Sequence, residues 1–199
     1  MRNPIDRLAA SLPRPLRLAV DWVATVAIAV GVVLALKAWV VNPYRIPSSS
    51  MEPTLHCAAP AQGCAAARSD RVLANRFIYH FRKPRRGDVV VFETPVQART
   101  ACRAGGVFVK RLIGLPGEVV SERDGVLFID GKRLEEPYIR ADRRDAQSGG
   151  WKVPPNSYFM IGDNRKMSCD SRRWGAVRRE AIIGPVVATY WPLTRLNLS

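Results

Sequence analysis

The stretch LAVDWVATVAIAVGVVLALKAWVV, residues 18–41, divides the chain into two parts that need different solvents. No charged residue lies between Trp22 and Leu36, and the Val, Ala, Ile and Leu there are interrupted only by Thr25 and Gly31. Apolar residues cover every helical face, without the polar stripe of a helix that packs on a core. A bilayer core of ~30 Å needs ~20 helical residues, so the stretch can span with some tilt. Trp22 and Trp39 sit near opposite ends, at the depth amphipathic rings prefer. The run is longer than the h-region of a cleaved leader. The bulky Lys37-Ala38-Trp39-Val40-Val41 closing it is a poor small-x-small site, so it reads as an uncleaved anchor. Arg2, Arg7, Arg14 and Arg17 precede it, opposed by Asp6. Residues 1–17 are therefore expected in the cytoplasm, 18–41 in the membrane and 42–199 on the far side.

Across the 199 residues, 31 Lys and Arg against 17 Asp and Glu give a formal charge of +14, and 47% of residues are hydrophobic. That apolar content excludes a wholly disordered chain. The 15 prolines and 14 glycines argue against a long helical bundle and for a loop-rich, strand-rich body. The basic excess leaves nucleic acid or an anionic membrane as default partners. No nucleic-acid-binding motif is present, so anionic lipid is expected and nucleic acid is not.

Beyond Asn42, apolar runs predict strands over residues 88–92, 107–113, 125–131, 158–161 and 182–191, the third flanked by Asp-Gly pairs as in a hairpin ladder. Residues 58–67 and 140–151 read as loops. Cys57, Cys64, Cys102 and Cys169 allow three disulfide pairings. Cys57 with Cys64 is the easiest, and Cys102 and Cys169 are then either paired or free. A zinc site from His56, Cys57 and Cys64 lacks a close Cys-x-x-Cys, so no metal and no cofactor are expected.

His56 and His80 are the only histidines, so a serine–histidine triad has few candidate bases, and single histidines are ordinarily half-buried structural residues. Lys110 offers another base. On a strand over 107–113 its same-face neighbours are Phe108 and Leu112, both large and apolar. Desolvation penalises the ammonium form, and a lysine lowered to a pKa of ~8 is neutral about one time in ten at pH 7. Arg111 cannot serve, because a guanidinium stays protonated. By local pattern alone Lys110 is more simply a snorkelling strand lysine. The serine cluster Ser48-Ser49-Ser50, stiffened by Pro47 and Pro53, is by composition a turn. Its position adds meaning. Ser50 lies nine residues past Val41, hence within about 32 Å of the membrane end. A scissile bond presented just outside a bilayer belongs to the small-residue site that follows a translocated leader's apolar segment.

Four segments, in order, resemble the bacterial type I signal peptidases, the membrane-bound Ser/Lys leader peptidases. Pro47-Ser48-Ser49-Ser50-Met51-Glu52-Pro53-Thr54-Leu55 resembles the nucleophile box. Arg86-Gly87-Asp88-Val89-Val90-Val91-Phe92 resembles the next, and Lys110-Arg111-Leu112-Ile113-Gly114-Leu115-Pro116-Gly117-Glu118 the lysine box. Gly162-Asp163-Asn164-Arg165, continuing to Ser168-Cys169-Asp170-Ser171-Arg172, resembles the last.

The resemblance implies a mostly β fold: a signal-peptidase-type catalytic domain with a small inserted β region over about 119–157, after one N-terminal transmembrane helix. It implies Ser50 as nucleophile and Lys110 as general base, Ser48 as an oxyanion donor, Ser168 orienting the lysine amine, and Asp170 with Arg172 as a supporting ion pair. Asp163 and Asn164 read as turn-formers. Lys166-Met167 departs from familiar relatives and would lower the Lys110 pKa if close. The implied partners are signal peptides of secreted preproteins, with small residues at the first and third positions before the cut, and the secretion translocon nearby. The implied location is the bacterial plasma membrane. Tyr44, Ile46, Met51 and Leu55 are expected to dip among headgroups or, alternatively, to pack in the core. A catalytically silent membrane-anchored binding protein and a Ser/Lys self-cleaving repressor-like protein are the competing readings.

Overall fold

The computed structural model describes residues 13–39 and 41–198, and side chains from 36 to 39 lie outside the description. The expectations that rest on Arg2, Asp6, Arg7, Val40 and the Trp39 ring therefore fall outside it. The chain divides into two units, residues 1–40 and 41–199.

In the first unit, helix α1 runs Arg14–Trp39. Pro13 and Pro15 sit at its start, where a missing N–H breaks no helical bond, and Pro13 O accepts from Leu16 N and Arg17 N. Its segment Arg14–Ala35 is long and apolar enough to cross a membrane. Leu18, Val23, Ile28 and Val33 all lie open. Those side chains point in different directions round the helix, so its described residues form no buried seam.

The second unit is built of antiparallel strands. A large sheet runs in the order β1 (Val41–Arg45), β2 (Arg71–Asn75), β11 (Ile182–Trp191), β3 (Val89–Glu93), β4 (Val107–Gly114), β9 (Ser157–Ile161) and β10 (Val177–Arg178). A short β12 (Asn197–Leu198) adds to β11. A second, four-stranded sheet runs β7 (Lys132–Arg133), β6 (Val126–Ile129), β5 (Val119–Arg123), β8 (Gly149–Lys152). It falls within the region expected as an insertion. Strand β1 begins at Val41, a residue assigned by sequence to the span.

Why the central strands read as continuous apolar runs is visible in β3. Val90 and Phe92 enter a core with Tyr79, Leu112, Met160 and Trp174. Val91, between them, enters another with Ile46, Met51, Leu55, Val72 and Val186. Side chains alternate at period two, so a strand covered on both faces has no polar position to show. A third core of Ile113, Val120, Leu127, Val153, Phe159 and Ile161 joins the end of β4 to the smaller sheet.

Two expectations are corrected. Residues 140–151 are not loop throughout: a 3-10 turn covers Ala141–Arg143, and Gly149 to Trp151 open strand β8, paired with β5. Ile46, Met51 and Leu55 are buried in the second core and Tyr44 packs against it, so the packing alternative holds. A side chain already shielded by protein gains nothing further from lipid.

Charge is distributed unevenly with depth. Glu52, Asp70, Glu122, Glu136, Asp163 and Asp170 are buried, whereas the buried cations among the described residues are Lys110, Arg165 and Arg172.

Candidate active site

Strand β1 delivers the chain into the serine cluster, where Ser49–Met51 form a 3-10 turn. The turn is fixed from several directions. Glu52 N donates to Ser49 O (3.1 Å), Leu55 N to Met51 O (2.9 Å), and Ser49 Oγ to Gln62 O (2.8 Å). Asn164 donates its backbone N–H to Ser50 O (3.1 Å) and its side-chain amide to Ser49 O (3.0 Å). Thr54 Oγ1 donates to Asp163 Oδ2. Ser50 is buried, and its Oγ lies 3.3 Å from Ser48 Oγ. The two hydroxyls expected to work together are neighbours.

Lys110 lies in β4 opposite Val90. It is 4% exposed, and its Nζ lies 5.7 Å from the Phe108 ring centre. No hydrogen bond or ion pair holds that amine among the described residues. Burial drives its pKa down from 10.5 to about 8, while Asp170 and Asp163 pull it up and Arg172 pushes it down. Lys166, expected to lower that pKa if close, is exposed and is not among the charges acting on the amine; the cation that acts is Arg172. Ser50, Ser48 and Lys110 line one cleft of about 530 Å³, whose apolar walls include Ile46, Val107 and Met167.

Behind the cleft lie two guanidinium clusters. Arg111 grips Asp163 with two bonds (2.8 and 2.6 Å), donates to Gly87 O (2.8 Å), and stacks 3.9 Å from the Tyr138 ring centre. Asp163 is therefore no simple turn-former. It is a fully buried carboxylate joining Arg111 to the serine turn through Thr54. Asn164, also buried, ties the last box to Ser49 and Ser50. Arg172 bonds both Asp170 oxygens (2.9 and 3.0 Å), Glu122 (3.2 Å) and Asp145 (2.8 Å). The Asp170–Arg172 pair is thus a buried network and not a surface bridge. Arg165 is buried against Glu136.

Ser168 Oγ is buried and has no hydrogen-bond partner among the described residues, so the bond expected to Lys110 is not formed here. It stands close to the serine turn nonetheless: a Cβ placed on Gly162 would come within 2.3 Å of Ser168 Oγ and 2.4 Å of Ser50 O. Glycine is what lets the two segments approach. Both disulfides form, Cys57–Cys64 and Cys102–Cys169. The first removes the thiols a zinc site would need. His56 pairs through Nδ1 with Glu52, and His80 is exposed.

Sequence reading missed Thr54, Glu122, Glu136, Asp145 and Arg165. Glu122 carried a signal: it shares an inward face with Val120 on β5, and an acid at an inward strand position needs a cation.

The sequence matches the family described as signal peptidase, peptidase S26, over residues 19–191. The chain belongs to that family. The peptidase S26 match covers most of the apolar helix and nearly the whole β unit. Among its relatives, the signal peptidase I of Leptolyngbya laminosa is 38% identical over 197 residues, covering 98% of this chain and 91% of that protein. The probable signal peptidase I-2 of a Synechocystis strain is 38% identical over 174 residues, covering 87% and 74%. A crystal structure of a signal peptidase I from Enterococcus faecalis is 35% identical, with a TM-score of 0.44, covering 52% of this chain and 97% of that one.

Proposed function

We propose that this S26-family chain is a membrane-anchored serine endopeptidase that cuts signal peptides from translocated preproteins after small residues, with Ser50 as nucleophile and Lys110 as general base. The observation that carries the reading is a buried amine that has no ion-pair partner among the described residues and lines the same cleft as a serine hydroxyl. At a pKa of about 8, roughly one such amine in ten is neutral at pH 7. The neutral Nζ accepts the Ser50 Oγ proton as Oγ attacks the scissile carbonyl carbon. The oxygen of that carbonyl takes up the negative charge between the Ser50 N–H and the Ser48 hydroxyl. The new ammonium gives its proton to the departing amine, the C–N bond breaks, and an acyl-Ser50 ester remains. Water, deprotonated by the same Nζ, attacks the ester and frees Ser50. Ser168 is a positioning residue in this scheme, its Oγ accepting from the lysine once charged. Asp170 and Arg172 hold the Ser168 segment.

Helix α1 is the anchor, with the preceding residues in the cytoplasm and the β unit outside the plasma membrane, near the translocon and against anionic lipid. Two disulfides in the β unit support an oxidising compartment. The test uses the full chain in detergent micelles with a preprotein substrate. Ser50→Ala, Lys110→Ala and Lys110→Arg are each expected to be silent, the last because charge is kept and the base is lost. Parent-like cutting by any of them overturns the dyad. Impermeant protease added to intact cells and to spheroplasts checks the orientation, which requires degradation of the β unit in spheroplasts.

A further inference from the structure

The cleft has one wall that the proposed dyad does not use. Its lining includes Cys102, Ala104, Gly105 and Gly106 from the lead into β4, and Cys169 from the last box. Helix α2 (Val96–Cys102) ends at Cys102, and Arg103 turns the chain through a left-handed conformation (φ 51°). Residues 103–106 are exposed and are thinly held. Outside the helices and strand ladders, the one backbone bond they make among the described residues is Thr94 N donating to Gly106 O (3.0 Å). Glycine at 105 and 106 makes the segment permissive to many conformations. Four residues later comes Lys110.

On the same wall, Cys169 sits between Ser168, whose buried Oγ is unpartnered among the described residues, and Asp170, which caps helix α3 (Ser171–Trp174) and acts on the charge of Lys110. The Cys102–Cys169 bond spans 67 residues of chain and brings these two segments to a Cα separation of 5.9 Å. Both half-cystines pack against the core that holds Phe92, Leu112 and Trp174, on its margin.

We propose that the Cys102–Cys169 disulfide is a positioning element of the catalytic cleft: it clamps the permissive lead into β4 against the Ser168–Asp170 segment, keeping the cleft wall closed over the lysine amine. This rests on the reading of Ser50 and Lys110 as the dyad. Opening the bond frees residues 103–106 and admits water to the amine. The turnover number falls, and the pH at which activity switches on moves up toward that of an ordinary lysine. A bond that served stability alone would lower the melting temperature and leave the pH profile of the surviving activity in place.

The full chain in detergent is compared with Cys102→Ala/Cys169→Ala, with Ser50→Ala and Lys110→Ala alongside. The expected result is a fall in kcat of tenfold or more with KM changing less, and an acid limb displaced upward by at least half a pH unit, in a variant whose near-ultraviolet circular dichroism is native. A variant with the parent's kcat and acid limb overturns the clamp, as does one whose activity falls with an unmoved limb. If the double variant does not fold, the native parent is treated with a dithiol reagent. The reagent supplies two electrons and two protons, leaves two thiols on the protein and departs as its cyclic disulfide. Loss of activity that tracks alkylation of Cys102 and Cys169, with the limb displaced, and that reverses on reoxidation upholds the clamp. Full activity with both thiols alkylated overturns it. The dyad reading is judged separately: if Ser50→Ala or Lys110→Ala cuts like the parent, that reading fails whatever the cysteine variant does. If they are silent and the cysteine variant is parent-like, only the clamp fails.

Discussion

Replacing Lys110 by Met keeps a long, flexible side chain in the same buried site and removes its charge. The structure predicts that this variant, inactive under the proposed dyad, is the more stable protein. Burial takes the amine from 10.5 to about 8. At ~1.4 kcal/mol per pH unit, holding its proton in the folded state costs roughly 3 kcal/mol. The unfolded lysine keeps its proton up to ~10.4, while the folded one releases it at about 8, so between these values the unfolded chain binds more protons and stability rises with pH. Below pH 8 the penalty is present in full. Lys110→Met is therefore expected to exceed the parent by up to roughly 3 kcal/mol at neutral and acid pH, with the gap closing as pH rises toward 10.5 and absent above it. Urea unfolding of both proteins in the same micelles across that range, followed by tryptophan fluorescence, measures the gap. Preprotein cleavage by the same samples shows the loss of activity. A gap independent of pH, or a variant less stable than the parent below pH 8, would refute the reasoning.

Ser48→Ala removes a hydroxyl 3.3 Å from Ser50 Oγ and is expected to lower kcat by ~10²–10³ with KM little changed, as steady-state kinetics on a preprotein will show. Asp163→Asn deletes a carboxylate that raises the Lys110 pKa, so the acid limb of kcat/KM moves to lower pH. It also strips the half-buried Arg111 guanidinium of its carboxylate partner, so thermal unfolding is expected to report a loss of about 1–3 kcal/mol. Gly162→Ala forces a methyl group against Ser168 Oγ and Ser50 O. Cleavage is expected to be lost, and calorimetry to show a destabilisation of ~1–3 kcal/mol.

Strand β3 was legible because both of its faces are covered, which writes an unbroken apolar run into the sequence, and β4 carries the same signal on either side of Lys110-Arg111. Strand β1 was not, because Pro43 sits in its middle. An edge strand tolerates that residue, since one side of its ladder is unpaired. Strand β8 begins Gly149-Gly150-Trp151 and has no β-branched residue to announce it. The nearness of Ser50 and Lys110 was beyond any local pattern. Strands β2, β11 and β3 stand between β1 and β4 in the sheet, so a shared cleft requires curling across several strands. That proximity was read from the order of the four resembling segments. Asp163, like Asn164, reads locally as a turn-former. Its role depends on Arg111, fifty-two positions away in the chain, and on Thr54, more distant still.

Glu52, Asp70, Glu122, Glu136, Asp163 and Asp170 are withdrawn from the exterior, against Lys110, Arg165 and Arg172 among the described residues. The outer shell is left with many guanidinium groups and few acids to neutralise them. Added salt damps repulsion among exposed like charges but barely reaches ion pairs sealed in a protein interior. Raising the ionic strength therefore tightens this fold, the reverse of what a protein held together by surface bridges would show.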